Sequence, residues 1–181
     1  MNTSRRSFLT TAGLSVFTSA VASPFHQNNE EGLKMTFAFK AEITLDKPME
    51  LGNTQHGNRR IIPITGGSFE GPNIRGKVVA GGYDWQLLRA DDVVEIDARY
   101  VLQTDGGDLI TLKNTGMRHG PPEVMQRLAK GEEVDASAYY FRSIPVFETG
   151  SPKHKWLMKS VFIATGMRKP KQVLIDVWRI V

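Results

Sequence analysis

The sequence predicts an all-β fold: an antiparallel β-barrel of about nine to ten strands with one short helix. Three observations carry this. Long runs at both ends of the chain alternate apolar and polar residues with a period of two. Turn-forming pairs punctuate the sequence at short intervals, and a single segment has helical character. Alternation of this kind puts one set of side chains on a buried face and the other towards water.

The first strand is the clearest. Met35, Phe37, Phe39, Ala41, Ile43 and Leu45 alternate with Thr36, Ala38, Lys40, Glu42 and Thr44. Shorter strand-like runs follow near 59–65, 74–80, 83–89, 93–103, 108–114, 139–148, 155–165 and 172–181. Between them stand Gly66-Gly67, Gly81-Gly82, Asp91-Asp92, Asp105-Gly106-Gly107 and Thr149-Gly150-Ser151-Pro152, residues that suit hairpin turns. In the last run Val173, Ile175 and Val177 oppose Leu174, Asp176 and Trp178. The helix spans Pro122–Lys130: proline fits a first turn, Glu123 sits near the positive end of the dipole, and Gly131 is a natural stop. Val124, Met125 and Leu128 form its apolar stripe. A barrel is favoured over a sandwich because the long terminal strands can pair and leave no open edge.

Ahead of the barrel, Ser4-Arg5-Arg6-Ser7-Phe8-Leu9 leads into an uncharged run ending at Ala20-Val21-Ala22. Paired arginines before such a run are expected to form a twin-arginine export signal, a receptor-read address with cleavage after Ala22. The expected organisation is a signal peptide over 1–22, a flexible lead-in over 23–34 and a single barrel domain over 35–181, located in the periplasm. The export machinery is then a partner of the signal only. Phe8 to Ala22 is 15 residues, short of the roughly 20 that a spanning helix needs, so no stable membrane span is expected.

Composition narrows the chemistry. There is no cysteine, which excludes disulfides, thiolate metal sites, iron–sulfur clusters and cysteine nucleophiles. Two of the 23 Lys and Arg and none of the 19 Asp and Glu lie in residues 1–22, so the remainder carries a net charge of only +2. No dense basic stripe accompanies it, and no nucleic-acid partner is expected. Gly66-Gly67-Ser68-Phe69-Glu70 lacks the closing glycine of a nucleophile elbow, and Gly76-Lys77-Val78 lacks P-loop spacing. His56, His119 and His154 share no ligand spacing, and Gly120-Pro121-Pro122 separates His119 from Glu123. Neither a metal nor a cofactor is expected.

What remains is a series of segments mixing aromatic, cationic and anionic residues. The succession GGSFEGPNIRGKV, GGYDWQ, DARYVL, YYFRSIPVFETG and WLMKSVFIATGMR resembles the bacterial domain-of-unknown-function 3237 family across roughly residues 37–180. The resemblance implies a compact β-barrel and no particular activity. It carries over Gly82, Asp84, Trp85, Arg99, Tyr100, Arg118, Tyr140, Arg142, Glu148 and Trp156 as recurring motif positions. His154 and Met158 depart from it, standing where the family pattern has a tyrosine and an asparagine. A ligand touching either position would meet a less polar wall.

A barrel of this size, lipocalin-like or cyclase-barrel-like, holds one small ligand. Inward arginines need partners, so Arg99, Arg118 and Arg142 are expected to meet Asp84, Glu148 or an anionic ligand. Tyr140, Trp85 and Trp156 complete the candidate ligand-binding set. Alternation also allows Arg99 to sit outside in an ion pair with Asp97, since Val94, Ile96, Ala98, Tyr100 and Leu102 form the apolar parity. The expected function is binding of a small anionic or carbonyl-bearing molecule. The alternative is a cofactor-independent lyase, isomerase or cyclase with Glu148 or Asp84 as base and Arg142 or Tyr140 as oxyanion holder. A third reading is a structural partner of exported enzymes, and self-association into a homo-oligomer stays open.

Overall fold

The computed structural model describes residues 32–181. The expected export signal and residues 23–31 of the expected lead-in lie outside the described residues. Nine strands follow in order: β1 Met35–Leu45, β2 Met49–Thr54, β3 Gly57–Glu70, β4 Arg75–Leu88, β5 Val94–Thr104, β6 Leu109–His119, β7 Tyr140–Glu148, β8 Phe162–Lys169 and β9 Gln172–Ile180. Among the described residues the one α-helix, α1, is Pro122–Ala129, with Leu128 buried and Val124 and Met125 packed on the core.

Each strand pairs antiparallel with its neighbour in the order β1-β9-β8-β7-β6-β5-β4-β3-β2, and β1 pairs with β3 as well. Eight strands therefore close on themselves, while β2 pairs with β3 alone. The terminal strands make the seam: Ala41 lies opposite Ile175 on one side and Phe69 on the other. That seam answers the edge problem that the terminal alternation foreshadows. Among the described residues no helix is long and apolar enough to cross a membrane.

Several local details differ from expectation. The runs near 74–80 and 83–89 are one strand, β4, with Gly81-Gly82 inside it at a register shift and not at a turn. Gly66-Gly67 likewise lies within β3, and β2 has no counterpart among the expected runs. A bulge between Phe37 and Phe39 shifts the parity of β1, so Ala38 is buried and Met35 is exposed. The run over 155–165 is not one strand. Pro152–Lys159 forms a 3-10 turn, and β8 starts only at Phe162. Pro152 pre-sets its first turn, and Leu157 goes down into the barrel end as a plug. Around that plug Phe147 meets Phe39 and Phe162 edge-on at centroid distances of 5.9 and 5.0 Å, and Phe39 meets Phe69 at 5.6 Å. This end of the barrel is packed hydrocarbon.

Candidate functional site

The opposite end is built from the same strands by a different rule. Along β6 the inward parity runs Ile110, Leu112, Asn114 and Arg118, so two polar side chains follow two apolar ones into the interior. Across the sheet Asp84 lies opposite Ala98, and Ala98 opposite Asn114. The small methyl between them leaves the two polar side chains facing a common space. On the next inward position of β4 stands buried Gln86, opposite Arg60 of β3. β8 adds Arg168 at its far end, and β5 adds Tyr100. Tyr100 can sit there because position 82 is glycine; a Cβ would lie 2.5 Å from that of Tyr100.

Asp84, Gln86, Tyr100, Asn114, Arg118 and Arg168 line a small inner cavity of about 30 Å³, walled otherwise by aliphatic residues and Phe141. That is space for about two water-sized spheres. A second cavity of about 300 Å³ lies at the same end, between Arg60 of β3, Leu88 of β4, Val94 of β5 and the Met125–Ala129 side of α1. Arg118 lines both. The helix that the sequence announces thus forms one wall of the mouth.

The electrostatics are lopsided. Gln86 donates from Nε2 to Asp84 Oδ2 at 2.5 Å, and its Oε1 accepts from Arg60 Nε at 2.9 Å. Asp84 Oδ1 is screened from solvent and has no hydrogen-bond partner. Burial pushes the Asp84 carboxyl up to about 6, against the opposing pull of Gln86, Arg118, the backbone amide of Asp97 and Arg60. Arg118 is 4% exposed and forms no ion pair with any described residue. Its Nε lacks a partner, and its guanidinium stands 5.7 Å from the centre of the Phe141 ring. Burial, then repulsion from Arg60 and Arg168, draws it down to about 10. Arg168 is lowered by burial and then by repulsion from Arg60, and its Nη1 donates to the carbonyl of Gln172 at 2.9 Å. The Tyr100 hydroxyl is raised by burial and by Asp84, which keeps it a neutral donor. Three guanidiniums therefore surround one carboxyl group.

Of the residues the sequence singled out, Asp84 and Arg118 come together in this site. The others do not. Glu148, Arg142 and Tyr140 project outward from β7, because its inward parity is Phe141, Ser143, Pro145 and Phe147. Arg142 lies over the Tyr140 ring at 5.2 Å, outside the barrel. The expected interior meeting of Arg142 with an acidic neighbour is therefore corrected. Arg99 is exposed and pairs with Asp97 at 3.2 Å. Trp85 is on the outer face, 44% exposed. Trp156 packs on Phe162 at the plugged end, where His154 and Met158 also lie. Buried His154 approaches Asp108 at 3.3 Å, and Met158 accepts a hydrogen bond from the Thr149 amide.

Sequence reasoning missed Arg60, Gln86, Asn114 and Arg168. A usable signal existed for two of them: Asn114 shares parity with Ile110 and Leu112, and Arg168 with Phe162 and Ala164. A polar residue on the buried parity is a better marker than a cluster of polar residues.

Comparison with known proteins agrees with this architecture. Residues 33–180 match the family described as "Protein of unknown function (DUF3237)", and the chain belongs to that family. A UPF0311 protein of Clostridium acetobutylicum is 43% identical over 143 residues, 78% of this chain and 90% of that protein. The crystal structure of a conserved protein of unknown function from Rhodopseudomonas palustris superposes with a TM-score of 0.81 at 36% identity, covering 83% of this chain and 99% of that one. A β-barrel-like protein of Acinetobacter baumannii gives a TM-score of 0.74 at 40% identity, covering 86% and 100%.

Proposed function

We propose that this member of the DUF3237 family is a periplasmic barrel that binds a small anionic or carbonyl-bearing molecule at Arg118. The observation that carries this is the state of Arg118 itself. A guanidinium withdrawn from water with no ion pair of its own, sharing one half-neutral carboxyl group with Arg60 and Arg168, costs several kcal/mol, and a ligand oxygen at that position offsets the cost. Asn114 and neutral Tyr100 offer further hydrogen bonds, while the aliphatic walls and Phe141 take up carbon. The mouth cavity of about 300 Å³ stands at the lower end of the range for small-molecule sites. The polar end of the ligand goes to Arg118 and its body lies beside α1.

The test uses cyclohexanecarboxylate and its neutral analogue cyclohexanecarboxamide. The acid is expected to raise the melting temperature of the wild type and the amide to leave it unchanged. Arg118→Met should remove the response to the acid. Equal shifts with both compounds, or an undiminished shift in Arg118→Met, would overturn the proposal. Export is supported by Arg5-Arg6 and the small-residue site at Ala20-Val21-Ala22, both ahead of the family match at residue 33. Replacing both arginines with lysine should retain the protein in the cytoplasmic fraction; unchanged fractionation would refute that assignment.

A further inference from the structure

We propose that Asp84 transfers a proton to and from a carbon adjacent to the carbonyl of a small oxo acid, while Arg118 holds the carbonyl oxygen. This rests on the binding reading above and adds a reaction to it. The geometry supplies three parts. Oδ2 of Asp84 is tethered by Gln86, which is itself held by Arg60, and Oδ1 has no partner. One oxygen thus orients the carboxyl group and the other is left to take a proton. Arg118 lines both cavities, so it can meet an oxygen of a molecule whose carbon skeleton sits in the mouth and whose reacting carbon reaches the inner space. Arg60 lines the mouth and can receive the acid group of the same molecule.

The step balances without a cofactor. The carboxylate of Asp84 takes the proton from the α-carbon, and the C–H electron pair forms the enolate double bond. The carbonyl π pair moves onto oxygen, where the Arg118 N–H groups hold the developing charge. The resulting carboxylic acid returns the proton to the same carbon or to a conjugated one. Burial keeps the Asp84 carboxyl near 6, so both its base and its acid forms are at hand near neutral pH. Gln86 is a positioning residue in this scheme.

The experiment follows proton exchange of 3-oxocyclohexane-1-carboxylate in D2O by proton NMR, with thermal shift on the same samples. Wild type should speed loss of the ring signals next to the ketone at least tenfold over buffer, with a rate that rises with pH through about 6. Asp84→Asn should still be stabilised by the probe but exchange at the buffer rate. Gln86→Leu should slow exchange and displace the pH midpoint, which a merely structural role would not do. A probe that stabilises the wild type yet exchanges at the buffer rate would overturn the catalytic step and leave the binding reading standing. Equal exchange in Asp84→Asn would do the same. A probe that neither stabilises the protein nor exchanges counts against both.

Discussion

Between Phe39 and Phe162 the barrel is filled with interlocking rings; a few residues further along the same strands it is filled with guanidiniums around one carboxyl group. Both ends are buried, and both obey period-two alternation. They differ in what burial does to them. At the plugged end, removing surface from water is favourable for the aromatic and aliphatic side chains that fill it, and Leu157, Leu102, Ile110 and Val177 are almost fully enclosed. At the arginine end burial acts against the charged groups, as the raised Asp84 and lowered Arg118 show. The lesson is a division of labour along the barrel axis: one end stabilises the fold, and the other spends part of that stability on a polar interior.

Variants should separate the two ends. The largest effect is expected from Phe147→Ala, which opens a cavity among Phe39 and Phe162 and should cost about 3–5 kcal/mol by urea denaturation. A loss under 1 kcal/mol would mean that the plug is not the stabilising end. Next comes Asp84→Asn, which should stabilise the protein at pH 7.5 by up to about 3 kcal/mol. The folded carboxyl titrates at about 6, above its ordinary 3.8, so the fold prefers the neutral acid. That contribution is fully present below pH 3.8 and is lost as pH rises through 6. The stability difference between the two proteins should accordingly shrink as the pH falls from 7.5 towards 4.

Arg118→Met should be smaller in its effect on the free protein, between no change and a gain of about 1–3 kcal/mol, because it replaces an unpaired buried charge with hydrocarbon. Destabilisation beyond 3 kcal/mol would show that Arg118 belongs to the fold and not to a ligand. The smallest effects are expected outside the barrel. Glu148→Gln and Arg142→Met should each shift stability by no more than about 0.5 kcal/mol and leave the response to cyclohexanecarboxylate intact. A lost response in either would redraw the site onto β7.

The legibility of the chain follows the same division. The first strand could be read because most of it presents one apolar and one polar parity; in the last, Val173, Ile175 and Val177 marked the inward face although Leu174 and Trp178 stand on the other. α1 was legible from Pro122, Glu123 and Gly131, which act locally. β7 was not, since Tyr140, Ile144 and Val146 alternate with Phe141, Pro145 and Phe147 and both parities are apolar. Its inward face depends on what β6 presents beside it. Trp156 invited a similar misreading, because a tryptophan between lysines gives no hint that a 3-10 turn folds it against Phe162.

Alternation and turn residues determined that this chain forms strands and that its two ends are able to pair, which favours a barrel. Those are properties of neighbours in sequence and of the pleat. The β1–β3 pairing that closes the barrel belongs to the tertiary structure. Which polar residues meet inside was settled only by closure, since Arg60, Asp84, Arg118 and Arg168 come from four strands and converge through register and shear. A shift of one residue in any of those pairings would turn that strand's charged side chain out into water.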